Sequence, residues 1–196
     1  MRVSKEQAAR NRERVIEAAG RLFREHGFDG VGIDAVMAEA GLTHGGFYKS
    51  FASKDDLIAE ACRLAAERST EDWLRQAATS PQPLRDLVTR YLSSSHCSDY
   101  GDGCLFAALA TDAGRRDKPV RAAFAGALKA FTAHLTRFMP GRSEARRREA
   151  ALAALATMIG AVAMARAAEG EAFADEVLTA ARTAILGRDG RADSEA

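Results

Sequence analysis

Residues 31–57 constrain this chain more tightly than the rest of it, and they turn about Gly41. Before it, Ile33, Val36, Met37 and Ala40 recur at i, i+3, i+4 and i+7, so all four share one face of a short helix. A glycine just past such a stripe ends the helix, because it takes the left-handed conformation without steric cost. Thr43 then offers a hydroxyl to cap a second short segment, His44 to Ser50, which exposes polar groups beside the apolar Phe47. A segment this short is not stable alone, so the helix before it must brace it. Ser53, with Asp56 three residues on, caps the start of a longer helix. Two short helices about a glycine turn, the second polar and held at an angle, make a shape that a DNA major groove admits.

The run from about Asn11 to Ala61 resembles the N-terminal domain of TetR-family transcriptional regulators, including the pattern G-F-Y-x-x-F-x-S-K-x-x-L at Gly46–Leu57. With no strand-like alternation or tandem repeat, the chain reads as all-α, and about nine helices agree with the resemblance. The resemblance divides the chain into a helix-turn-helix DNA-binding domain at 1–53, a helical effector-binding and dimerisation domain at 54–187, and a polar tail at 188–196. It also implies a homodimer on palindromic double-stranded operator DNA, released by a small-molecule effector. The residues that match the DNA-contacting positions are Thr43, His44, Gly45, Gly46, Tyr48, Lys49 and Lys54. Thr43 and His44 carry short donors and acceptors for base edges. Gly45 and Gly46 let the backbone come close. Tyr48 can donate to a phosphate, and Lys54 stands in the first turn of a helix, where its ammonium and the helix N-terminus meet one. Two positions depart from the family pattern. Met37 stands where a small residue is usual, and Val31-Gly32 replaces a Thr or Ser that would cap the helix and touch phosphate.

Bulk charge gives no argument for nucleic acid. The net charge of the chain is +1, and residues 1–62 hold nine Lys and Arg against ten Asp and Glu. Basic character is local, in Arg2, Lys5, Arg10, Arg12 and Arg14. DNA binding must therefore rest on positioned cations. Hydrophobic and charged fractions of 47% and 28% are those of an ordinary soluble globular chain. The first 14 residues contain no apolar stretch, so no secretory signal is expected. The longest uncharged run, 150–165, is short of the roughly 20 residues that span a bilayer, so a buried or interfacial helix is expected there and no membrane partner. Three cysteines without a disulfide framework point to the cytoplasm.

Helical patterning continues to the end. A first helix is expected over about Glu6–His26, with Val15, Ala19, Leu22 and Phe23 inward and Gly27 ending it. The helix after Ser53 should run to about Ala78, before the break at Pro81 and Pro83. Leu84–Ser95 reads as one helix, 98–103 as a loop and Cys104–Ala113 as a short apolar helix. Val120, Phe124, Leu128, Phe131, Leu135 and Phe138 form a long buried stripe that Pro140-Gly141 ends. The last two helices are expected over about Glu144–Ala168 and Ala172–Leu186. Leu152, Leu155, Ile159 and Val162 fall on one face of the first, and Val177, Leu178, Ala181 and Ile185 on one side of the second. Alanines and Gly160 allow close approach, so these faces are expected to form a four-helix dimer seam.

The resemblance places an effector pocket in the C-terminal body, for which Trp73, His96, Cys104, Phe106, Phe131, His134, Phe138 and Met158 are the candidate lining. Aromatic and Met residues at helical spacing also serve as plain core. Cys104 follows Asp102-Gly103 at a helix start, where the dipole favours thiolate, and Cys97 can resolve its oxidised form. Gly103-Cys104-Leu105 also looks like the helix start of family members that sense electrophiles or oxidants, so a thiol switch is the alternative to ligand release. A helical protein that binds no DNA is the remaining alternative. No nucleophile elbow, phosphate loop or zinc-ligand pattern is present, so no enzyme activity, cofactor or metal is expected.

Overall fold

The computed structural model describes residues 4–77 and 79–187, without the side chains of Thr70, Trp73, Leu74 and Ala77. Ala78, the expected end of one helix, and the tail at 188–196 lie outside the described residues, as do residues 1–3 of the expected DNA-binding domain. Among the described residues the chain is all-α, with nine α-helices, one 3-10 helix and no strand. The helices are α1 (Lys5–His26), α2 (Ile33–Glu39), a 3-10 helix (His44–Lys49), α3 (Lys54–Ala77) and α4 (Pro83–Tyr91). They continue with α5 (Ser94–Ser98), α6 (Leu105–Gly114), α7 (Lys118–Thr136), α8 (Glu144–Ala167) and α9 (Glu171–Leu186).

The expected single helix over Leu84–Ser95 is two helices. The serine run supplies the reason, because short hydroxyls compete for backbone partners. Ser93 Oγ donates to Arg90 O at 2.7 Å and accepts the His96 N–H at 3.2 Å, so it closes α4 and opens α5 in one place.

The chain forms two compact units. The first comprises Met1–Ser69 and Tyr100–Lys129, the second Thr70–Asp99 and Ala130–Ala196. In the first unit, α1 packs on α2 and α6, and α2 packs on the 3-10 helix. Its interior holds Ala19, Phe23, Phe28, Val36, Met37, Phe47, Phe51, Leu57, Ile58 and Leu109. In the second unit, α8 packs along α9, with α4 against α9 and α5 against α8. Leu87, Val88, Leu92, Phe131, Leu135, Leu155, Met158, Val162 and Leu178 fill that interior. Helix α8 is long and apolar enough to cross a membrane by composition alone, with mean hydropathy 1.7, but it packs on α9 and α5 as a helix of this unit.

Candidate nucleic-acid interface

Helix α2 ends as its sequence dictates. Gly41 takes φ 66°, its N–H donates to Ala38 O, and the Leu42 N–H donates to Met37 O, both at 2.9 Å. These two bonds satisfy carbonyls that the helix end would leave open, and they reverse the chain into the 3-10 helix. A side chain at Gly41 would also meet Arg14 Nη2 at 2.8 Å. The expected cap by Thr43 does not form: Thr43 is extended at the N-cap and its hydroxyl makes no capping bond. In the 3-10 helix the Gly46 N–H, three residues on, donates at 3.0 Å to the Thr43 carbonyl instead. The hydroxyl is thereby left exposed beside His44.

Phe47 anchors this segment, fully buried against Phe51 with ring centroids 5.4 Å apart. Its burial presents Thr43, His44, Gly45, Tyr48 and Lys49 outward, with Gly46 half-buried. The Met37 departure is accommodated at Gly46, where a Cβ would lie 3.5 Å from Met37 Cε. The other departure leaves α2 without a side-chain cap, as expected of Gly32. At α3, the Asp56 N–H donates to Ser53 Oγ and the Ala52 N–H to Asp56 Oδ2, each at 3.1 Å. This reciprocal pair fixes the first turn that carries Lys54. Burial, then the nearby Arg116 guanidinium, pushes the half-buried Lys54 ammonium below its ordinary pKa.

Most arginines here brace protein rather than offering charge outward. Arg21 pairs with Glu39 across α1 and α2, and Arg12 pairs with Glu60 while lying 5.0 Å over the Phe51 ring. Arg116, just after α6, pairs with Asp29 and, at 3.5 Å, with Asp55. Asp112 Oδ2 accepts the Phe28 N–H at 3.1 Å, just beyond Gly27 at the end of α1. Sequence reasoning missed Arg116 and Asp112. The partners of Arg116 lie 87 and 61 residues away in sequence and that of Asp112 84, and no local pattern signals such pairs.

The candidate effector residues fall into different units. Cys104 and Phe106 belong to the first, and His96, Phe131, His134, Phe138 and Met158 to the second. The Trp73 side chain lies outside the described residues. Cys104 is the N-cap of α6, and its Sγ accepts the Ala107 N–H at 3.3 Å. All three cysteines are buried and none is in a disulfide. Burial pushes the Cys62 thiol up to about 12 and raises that of Cys97. Among the described residues, no group of three or more His, Cys, Asp or Glu is placed to hold a metal ion.

The Nε2 of His96 and the Nδ1 of His134 are buried without hydrogen-bond partners. The His96 ring lies 4.9 Å from that of Tyr91, and its pKa is lowered by burial first, then by Arg166 and Arg90, with Asp99 opposing. The unfolded chain therefore takes up this proton more readily than the folded one. The sign follows: stability is retained above the ordinary histidine value of about 6.5 and is lost as pH falls from there toward the lowered folded value. Urea midpoints at about pH 7.5 and pH 5.5 should differ less in His96→Gln than in wild type. Parallel differences would remove His96 as a source of acid sensitivity.

The positions of the expected dimer seam divide by burial. Leu155, Val162, Leu178 and Ala181 are buried within the chain itself, and Ile159, Val177 and Ile185 are half-buried. Leu152 is 49% exposed, and with Met164 on α8 and Phe173 on α9 it is among the large apolar side chains left open to solvent.

Residues 15–61 match the family described as bacterial regulatory proteins of the tetR family. Residues 80–179 match the C-terminal domain described for LmrA/YxaF-like transcriptional regulators. An uncharacterised HTH-type transcriptional regulator of Mycobacterium tuberculosis is 30% identical over 164 residues, covering 79% of this chain and 84% of that protein. The HTH-type transcriptional regulator AcrR of Shigella flexneri is 29% identical over 98 residues, and that match spans about half of each protein, 48% of this chain and 46% of AcrR. In structure, the reduced form of Escherichia coli NemR superposes with a TM-score of 0.74 over 89% of this chain and 94% of NemR, at 19% identity, a likeness of fold.

Proposed function

We infer, because the chain belongs to the tetR family of bacterial regulatory proteins, that this DNA-binding transcriptional regulator acts as a homodimeric repressor on two-fold symmetric operator DNA. A small molecule held in the helical body releases it, and it works in the cytoplasm without catalysis of its own. The observation that carries this reading is the 3-10 helix. It is anchored by Phe47, its one buried side chain, and turns His44, Tyr48 and Lys49 to solvent beside the capped start of α3. Base-edge contacts fall to Thr43 and His44, and phosphate contacts to Tyr48, Lys49 and Lys54. Leu152, Met164 and Phe173 supply the apolar surface for the seam between two copies.

Lys54→Ala tests the phosphate assignment. It should weaken specific and non-specific DNA binding alike and reduce the slope of log affinity against log salt by about one per chain. Anisotropy titrations at several salt concentrations measure both. An unchanged slope would place Lys54 away from the phosphate backbone.

A second reading is favoured by the Cys104 cap, in which oxidation or alkylation of that thiol replaces ligand release. Its Sγ accepts a backbone N–H at a helix start, a contact that neither Cys62 nor Cys97 makes among the described residues and that works against the burial all three share, and NemR is known in a form designated reduced. Cys104 should then react with maleimide faster than Cys62, whose thiol burial holds protonated. Cys104→Ser should keep DNA binding and lose oxidant-triggered release. Equal labelling rates, or unchanged release, would leave reversible ligand binding as the switch.

A further inference from the structure

His44 opens the 3-10 helix, and its Nδ1 meets Oδ1 of Asp34, in the first turn of α2. Both side chains are open to solvent, at 52% and 83% exposure, and the Tyr48 ring stands edge-on to the imidazole at 6.2 Å. Nothing in the packing needs this pair. The turn at Gly41 and the packing of α2 on the 3-10 helix already hold the two together. The chemistry of the pair is directional, however. An ionised carboxylate can only accept, so the imidazole hydrogen must sit on Nδ1. In the neutral ring Nε2 is then an acceptor. A solvated imidazole without such a partner carries its hydrogen mainly on Nε2 and presents a donor there.

We propose that Asp34 is a specificity-determining positioning residue, which fixes the tautomer of His44 so that the ring offers an acceptor to the DNA. In the major groove an acceptor selects the exocyclic amines, adenine N6 or cytosine N4, and disfavours guanine O6 and thymine O4. Asp34 therefore acts on base choice through His44 without touching a base. This rests on the reading of the 3-10 helix as the element that enters the groove. Removing the carboxylate releases the ring to its other tautomer, and the preferred base at that position should change from an amine-bearing one to a carbonyl-bearing one.

Two measurements on the full chain test this, both at about pH 8.5, above the ordinary histidine range. Long-range proton–nitrogen NMR reads which ring nitrogen of His44 carries the hydrogen. Selection from a duplex library of randomised sequence reads the base preferred at each position. Wild type should show the hydrogen on Nδ1 and prefer adenine or cytosine at one symmetric position by about fivefold or more. His44→Ala should lose that preference. Asp34→Ala should move the hydrogen to Nε2 and shift the preference to guanine or thymine. The hydrogen on Nε2 in wild type would overturn the proposal. So would Asp34→Ala binding more tightly to every sequence with its base choice intact, since loss of a negative charge alone would explain that. A wild-type chain that enriches no sequence would instead overturn the DNA-binding reading, and this inference with it.

Discussion

Phe47→Ala should abolish sequence-specific DNA binding and lower the stability of the chain by about 3–5 kcal/mol. The ring is fully buried, stacks on Phe51 and meets the Tyr48 ring edge-on at 5.1 Å. It is the one buried residue of its helix, so no other side chain there packs the segment into the interior. The 3-10 turn has little stability of its own, and two glycines weaken it further by about 1 kcal/mol each relative to alanine. A loss of several kcal/mol is a large part of the 5–15 kcal/mol that typically holds a domain folded. Urea unfolding measures the first effect and anisotropy with operator DNA the second. Tyr48→Ala is the control. That side chain is 65% exposed, so its loss should leave stability within about 0.5 kcal/mol. Near-normal DNA binding by Phe47→Ala would mean that the 3-10 helix does not carry the recognition surface.

The double substitution Leu152→Glu with Phe173→Glu should convert the protein to a folded monomer that binds operator DNA about 100-fold or more weakly. Leu152 and Phe173 are 49% and 54% exposed in the single chain, so a carboxylate at either position reaches water without entering the interior. Charge on an apolar seam is costly, because burial strips it of water without giving it a partner. A dimer binds its second half-site intramolecularly, and losing that linkage costs roughly 10²–10⁴ in affinity. Ile159 is a poorer test, being half-buried, because a charge there also disturbs the chain's own packing. Sedimentation of the double variant as an unchanged dimer would place the interface elsewhere.

What was legible in the sequence was local. The glycine stop at Gly41 and the cap at Ser53 act within a few residues, and both formed as read. The long helices α1, α3, α8 and α9 match their apolar spacing to within one residue at most described ends. The break between α4 and α5 was not legible, because a serine reads equally as helix interior and as cap until its partners are known. The Thr43 cap failed for a related reason, since sequence does not distinguish a 3-10 turn from an α-turn. The stripe on α8 was visible, but not its division, in which Leu155 turns inward and Leu152 outward. Periodicity locates an apolar face and is silent on whether the chain itself or another copy covers it. The contacts of Asp34, Asp112 and Arg116 depend on tertiary placement and leave no mark on spacing.

In the proposed function two copies of this chain read one symmetric DNA site. Analytical ultracentrifugation of the full chain with labelled duplex from upstream of its own coding sequence, in competition with random DNA, tests it most directly. The expected complex holds two chains per site and survives an excess of random duplex at physiological salt. A complex of one chain per site, or binding that random DNA displaces as readily as the upstream sequence, would contradict it.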